Sequence, residues 1–193
     1  MKRDLIFAGV GGQGIVLAAR LVAQSALQKG LSVRTAETIG MAQRGGSVVS
    51  HVRIGDDACS PLVPLGSAAV IVGFEPGEAV RCLPYLGPGG VVIVSRQAIV
   101  PVTAAVSGCG YDGGEMLAYL HARVERVIVV DGEAVCAACG SAKVLNVALL
   151  GAAAAAGVLG ASLEGLESTI ATLLPKKFVA MNRQALRAGA SYV

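Results

Sequence analysis

A short apolar run, Leu5-Ile6-Phe7-Ala8, passes directly into Gly9-Val10-Gly11-Gly12-Gln13-Gly14, and a helical pattern follows from Ile15 to about Gln28. This junction constrains the fold more than any other stretch. A buried strand that turns through glycines into an amphipathic helix must send its next strand back to the same sheet. Leu17, Ala18, Leu21 and Ala26 supply the helix's apolar face, and Gly30 is a natural stop, since glycine takes the left-handed C′ conformation without penalty. Leu31 to Glu37 then reads as the second strand.

The later segments continue the pattern. Ala68–Phe74, Val91–Ser95 and Val127–Val130 are unbroken apolar runs, as expected for strands covered on both faces. Pro76 to Leu86 can form a short helix with Pro76 in its first turn and Pro84 at or near its end, and Gly87-Pro88-Gly89-Gly90 reads as a turn. Ser141 can cap a helix running to about Leu159, Ser162 with Glu164 starts another, and Lys176 to Ala188 makes a third after Pro175. With no internal repeat and no linker, residues 1–193 are expected to form a single α/β domain: an open, mostly parallel sheet with helices on both faces.

Composition bears on the setting. Hydrophobic residues make up 54% but aromatics only 4% and charged residues 15%, so the excess is small side chains. So little charge implies surface covered by a partner chain, or by a homo-oligomer in isolation. The net charge of +3 is dispersed, which argues against nucleic-acid binding. The N-terminal apolar run is too short for a signal peptide and leads into a helix, and Gly151–Gly160 suits a buried helix better than a membrane span. Five cysteines without an export signal point to reduced thiols and a cytoplasmic protein.

Three stretches are candidates for chemistry. Gly9, Gly11 and Gly14, with Gly12 between them, follow a strand and open a helix, the setting of a phosphate-binding turn; Glu37 would be the ribose-binding acid. On that reading the chain is a stand-alone dinucleotide-binding oxidoreductase; alternatively the glycines only permit a tight turn. Cys136 and Cys139, placed ahead of the Ser141 cap, have redox potential near a helix start but read better as small buried side chains. No metal site is expected, since Cys and His are not paired at ligand spacing, and no catalytic motif appears. The third stretch is Gln43-Arg44-Gly45-Gly46-Ser47, where an arginine in a glycine loop can grip phosphate or carboxylate. In the strand that follows, Ser47, Val49, His51 and Arg53 share one face, expected to border a cleft or a partner. An idle loop is the competing reading.

Gly9–Gly14, together with Met41–Ser47 running into Val48-Val49-Ser50-His51-Val52-Arg53-Ile54-Gly55, resembles the gamma subunit or domain of 2-oxoacid:ferredoxin oxidoreductases, and most of all the small (beta) subunit of the indolepyruvate enzymes. Lys143-Val144-Leu145-Asn146, and Lys177-Phe178 with Asn182, Ala185, Leu186, Ala188 and Gly189, extend the similarity over nearly the whole chain. The resemblance implies a fold like domain III of the pyruvate enzymes. It also implies a required subunit of a complex that oxidatively decarboxylates a 2-oxoacid with coenzyme A, giving acyl-CoA and reduced ferredoxin. It assigns thiamine diphosphate and iron–sulfur clusters to a large partner subunit, no cofactor to this chain alone, and no activity to the chain in isolation. Ferredoxin is then met only indirectly. By the same resemblance Gln43, Arg44, Gly45, Gly46 and Ser47 are expected to face coenzyme A or substrate, and the Gly9–Gly14 turn becomes structural. Cys136 and Cys139 depart from the family pattern and leave a side redox function open.

Overall fold

The computed structural model describes residues 2–39, 45–56, 59–100 and 110–193. Six strands form one sheet: β1 (Arg3–Val10), β2 (Val33–Ile39), β3 (Ser47–Ile54), β4 (Ala68–Gly73), β5 (Leu86–Ser95) and β6 (Arg126–Val130). Their order is β2-β3-β1-β4-β5-β6. β1, β4, β5 and β6 are mutually parallel, whereas β3 runs antiparallel to both β1 and β2. The sheet is therefore mostly parallel, as expected, with one reversed strand inserted between β1 and β2.

Helices cover both faces. They are α1 (Ile15–Gln28), α2 (Pro76–Arg81), α3 (Gly114–Arg123), α4 (Gly132–Cys139), α5 (Leu145–Ala155), α6 (Leu163–Leu173) and α7 (Lys176–Ala190) among the described residues. The apolar runs divide by strand periodicity. Leu5, Phe7, Val70, Val72 and Ile93 pack on one side with α1, α5 and α6, while Ile6, Ala8, Ile71, Val92 and Val94 pack on the other with Ala79 of α2 and Leu120 of α3.

Local expectations mostly hold. α1 ends at Gln28, and Gly30 (φ 75°) donates to Leu27 while Leu31 donates to Ala26, a Schellman closure. Ser162 caps α6 by accepting from the Gly165 amide. Two expectations are corrected. Gly87–Gly90 is not a free turn but lies within β5, bulged out where the register jumps from Ala68–Leu86 to Val70–Val91. The helix after Ser141 begins as a 3-10 turn, Ala142–Val144, and ends at Ala155 because Gly157 (φ 74°) turns the chain away.

Candidate functional site

The chain leaves β1 toward β2 and β3 on one side and later returns to β4 on the other. The carboxyl ends of β1 and β4 thus flank the switch point at which open α/β sheets usually take a ligand. Here Gln13 fills that crevice. Its Oε1 accepts from the Val10 amide at 2.7 Å and its Nε2 donates to the Phe74 carbonyl at 2.9 Å, stapling the two strand ends together. Gly9 is glycine for this reason, since a Cβ there would stand 2.7 Å from both Gln13 Oε1 and the Phe74 Cβ. Gly12 and Gly14 have φ of 108° and 82°, and Gly11 donates to Gly46.

Glu37 is not brought to this turn. In a dinucleotide fold the acid lies on the strand next to β1; here β3 intervenes, with Glu37 opposite Ser50 and Ser50 opposite Phe7. Two strand spacings, roughly 9–10 Å, separate Glu37 from β1, and its side chain is exposed.

The second loop enters beside the first. Gln43 and Arg44 lie outside the described residues, but the end of the loop is fixed. The Gly46 carbonyl accepts from Gly11 at 2.8 Å, and Ser47, which pairs with Val10, donates its hydroxyl to Glu78 Oε2 at 2.6 Å. A cavity of about 310 Å³ opens here, lined by Val10, Ser47, Glu75, Glu78, Tyr111 and Met116 among others. Glu75 and Glu78 are both buried. Glu75 caps α2, its Oε2 accepting from the Glu78 amide at 2.9 Å, while Oε1 accepts the Tyr111 hydroxyl at 2.5 Å. That hydroxyl in turn accepts from the Gly77 amide at 3.1 Å. Burial, followed by the bond to Glu75, pushes the Tyr111 phenol far above its usual range, so it stays a donor at neutral pH. Glu78 Oε1 lies 3.5 Å from Arg81 Nε, whose side chain is mostly exposed. Cys82 is buried, and desolvation with the Glu78 charge pushes its thiol up to about 12.

Sequence reasoning missed these acids and the tyrosine. Glu75-Pro76-x-Glu78 carried a readable signal, an acidic cap followed by proline at N1; Tyr111 carried none.

On the other side of the glycine turn lies a cavity of about 450 Å³, bordered by Gly12, Gln13, Gly14, Gln97, Lys143 and Asn146 among others. Asn146 Nδ2 donates to the Gly14 carbonyl at 3.4 Å, which joins the start of α5 to the turn. Lys143 and the head of α1, which has no side-chain cap, both border this cavity.

His51 and Arg53, expected to face a cleft or partner, are inside the fold. Arg53 pairs with Asp4 and donates to the carbonyls of Ser60 and Leu62; His51 Nδ1 accepts from the Val63 amide at 3.2 Å. The segment from Ser60 to Val63 thus contacts that face of β3 and leaves its Ser47 end to line the cavity. Cys136 and Cys139 lie in the last turn of α4, just ahead of the Ser141 cap that opens the 3-10 turn leading into α5. Burial raises both thiols, and at Cys136 it outweighs the lowering by the Val144 and Leu145 amides at the start of α5. Among the described residues, no group of three or more His, Cys, Asp or Glu is placed to share a metal ion, and no helix is long and apolar enough to cross a membrane.

Residues 4–192 match the pyruvate ferredoxin/flavodoxin oxidoreductase family. The chain is 36% identical to the indolepyruvate oxidoreductase subunit IorB of Archaeoglobus fulgidus, over 98% of this chain and 94% of that protein. It is likewise 36% identical to the IorB subunit of Pyrococcus horikoshii, over 96% and 93%. In fold it is similar to the gamma subunit of a keto/oxoacid ferredoxin oxidoreductase from Geobacter sulfurreducens, with a TM-score of 0.70 at 22% identity, covering 98% and 97% of the two chains. It also superposes on 31% of the 2-oxoglutarate:ferredoxin oxidoreductase chain from Magnetococcus marinus, solved with 2-oxoglutarate, coenzyme A and succinyl-CoA, with a TM-score of 0.71 at 18% identity over 99% of this chain.

Proposed function

The chain belongs to the pyruvate ferredoxin/flavodoxin oxidoreductase family, and from that premise we propose that it is the small subunit of an indolepyruvate- or arylpyruvate-oxidising 2-oxoacid:ferredoxin oxidoreductase. The observation that carries the reading is the near-full-length identity to IorB subunits in two organisms. The complex converts a 2-oxoacid and coenzyme A into acyl-CoA and carbon dioxide, and the two electrons released pass to ferredoxin. A large cytoplasmic partner subunit would hold thiamine diphosphate, which supplies the electron sink for decarboxylation, and the iron–sulfur clusters, which supply the path for electrons. This chain supplies walls and anchoring groups, and by itself it is inactive.

Gln43, Arg44, Gly45, Gly46 and Ser47 form the edge facing coenzyme A or substrate. In support, the Gly45–Ser47 end of that loop reaches the switch-point end of the sheet, tied to the glycine turn through Gly11 and Gly46. The turn itself is structural, since Gln13 occupies the crevice a dinucleotide would need.

Co-expression with a candidate large subunit tests the proposal. A stable complex that reduces a dye only when given an arylpyruvate and coenzyme A is expected; two chains that never associate would sink it. In that complex Arg44→Ala should lower turnover without loosening the subunits.

A further inference from the structure

Two buried carboxylates stand at the edge of a cleft proposed for anionic ligands, which calls for a physical reason. Neither is free to act as a ligand. Glu75 spends Oε2 on the Glu78 amide and Oε1 on Tyr111, and Glu78 spends Oε2 on Ser47 with Oε1 facing Arg81. A 2-oxoacid or a coenzyme A phosphate would be repelled by them. Their bonds instead run to the flanks of the cavity: Ser47 where the glycine loop joins β3, and Tyr111 ahead of α3.

We propose that Glu78 is a positioning residue that acts through Ser47, holding the Gly45-Gly46-Ser47 end of the loop in the geometry used by the reaction. This rests on the function proposed above. Ser47 and Glu78 are 31 residues apart and come from different sides of β1, so no local preference brings them together. Their bond, at 2.6 Å to a buried carboxylate, is of the strong, charge-assisted kind. Just before Ser47, Gly45 is exposed and has φ of 74°, and among the described residues no atom lies within 4 Å of where a Cβ would stand. The backbone bond from Gly11 fixes Gly46 along the sheet, and Ser47–Glu78 fixes the loop end toward α2.

The experiment uses the complex with the large subunit and compares wild type, Ser47→Ala, Ser47→Thr, Glu78→Ala, Glu78→Gln and the double alanine variant. KM and kcat for the 2-oxoacid and for coenzyme A are measured beside gel filtration and thermal melting. Loss of one charge-assisted hydrogen bond is expected to raise one of the two KM values about tenfold in each alanine variant, with kcat within roughly twofold. The double variant should be no worse than the singles, and Ser47→Thr and Glu78→Gln, which keep a donor and an acceptor, should recover most of the loss. Unchanged KM in assembled, active Ser47→Ala complex overturns the inference, as does additive loss in the double variant. If Glu78→Ala fails to assemble, the Ser47→Ala and Ser47→Thr pair decides alone. A wild-type complex without 2-oxoacid-dependent reduction would overturn the proposed function and this inference with it.

Discussion

Arg53 Nε donates to Asp4 Oδ1 at 2.7 Å across the β3–β1 ladder, and both side chains are less than one-tenth exposed. Arg53 Nη1 continues to the carbonyls of Ser60 (3.0 Å) and Leu62 (3.3 Å). The pair therefore joins two strands and pins the segment that follows them. Removing one partner strands a buried charge, so Arg53→Ala or Asp4→Ala should cost about 3–5 kcal/mol in denaturant unfolding of the isolated chain. A loss under about 1 kcal/mol, the range of a surface pair, would show that the pair is solvated.

His51 lies on the same face of β3, edge-on to Tyr85 with ring centroids 5.4 Å apart. Burial lowers its pKa from the ordinary imidazole value, and Nδ1 can accept from Val63 only when unprotonated. Below about pH 6.5 the unfolded chain binds a proton that the folded chain resists, so this contribution to stability is present above that pH and lost as pH falls toward the folded pKa. Melting curves between pH 7.5 and 5 should fall more steeply for wild type than for His51→Asn, whose amide oxygen keeps an acceptor without titrating. Parallel curves would mean that His51 is already hydrated in the fold.

How much of this was legible follows from the range of the forces involved. The β1 turn, α1 and its Gly30 stop, and the cap at Ser162 are set within a few residues, and all were readable. The reversal of β3 was not, because alternating burial is the same in either strand direction and only pairing with β1 and β2 decides it. For the same reason a charged face that looked open proved covered: the Ser60–Val63 segment contacts it, and nothing near His51 or Arg53 in sequence announces that. α3 went unread since it buries only Leu120, leaving almost no apolar stripe. α4 carries a local signal in its Asp131 cap, which accepts from the Ala134 amide, but at 8 residues it is too short to show a helical period. At the site, the loop was visible and its anchor was not, because Glu78 and Tyr111 reach it only through the fold.

The small-residue composition has a specific use where α5 crosses α7. A Cβ on Gly151 would stand well inside contact distance of the Leu186 carbonyl oxygen, and one on Gly189 would meet the Ala148 carbonyl oxygen in the same way. Backbone on both sides cannot swing aside as a side chain would. Gly151→Ala and Gly189→Ala should each cost about 3 kcal/mol or more by forcing the helices apart, despite the better helix propensity of alanine. Gly157→Ala lies in a left-handed C-cap with open space around it and should cost less, about 1 kcal/mol from backbone strain alone. Equal losses at all three positions would refute the close crossing.

Gln13 decides between a structural turn and a nucleotide site. With its amide bonded at both ends between β1 and β4, the crevice is closed, and Glu37 lies two strands away across β3. Calorimetric titration of the isolated chain with NAD(H), NADP(H) and FAD should show no binding in the micromolar range. Gln13→Ala should open the crevice and cost about 1–3 kcal/mol of stability, since it leaves the Val10 amide and the Phe74 carbonyl without their partner. Nucleotide affinity should remain absent in that variant, because β3 still separates Glu37 from the turn. Micromolar binding to wild type would restore the stand-alone oxidoreductase reading. Binding that appears only in Gln13→Ala would mean the side chain masks a working phosphate turn.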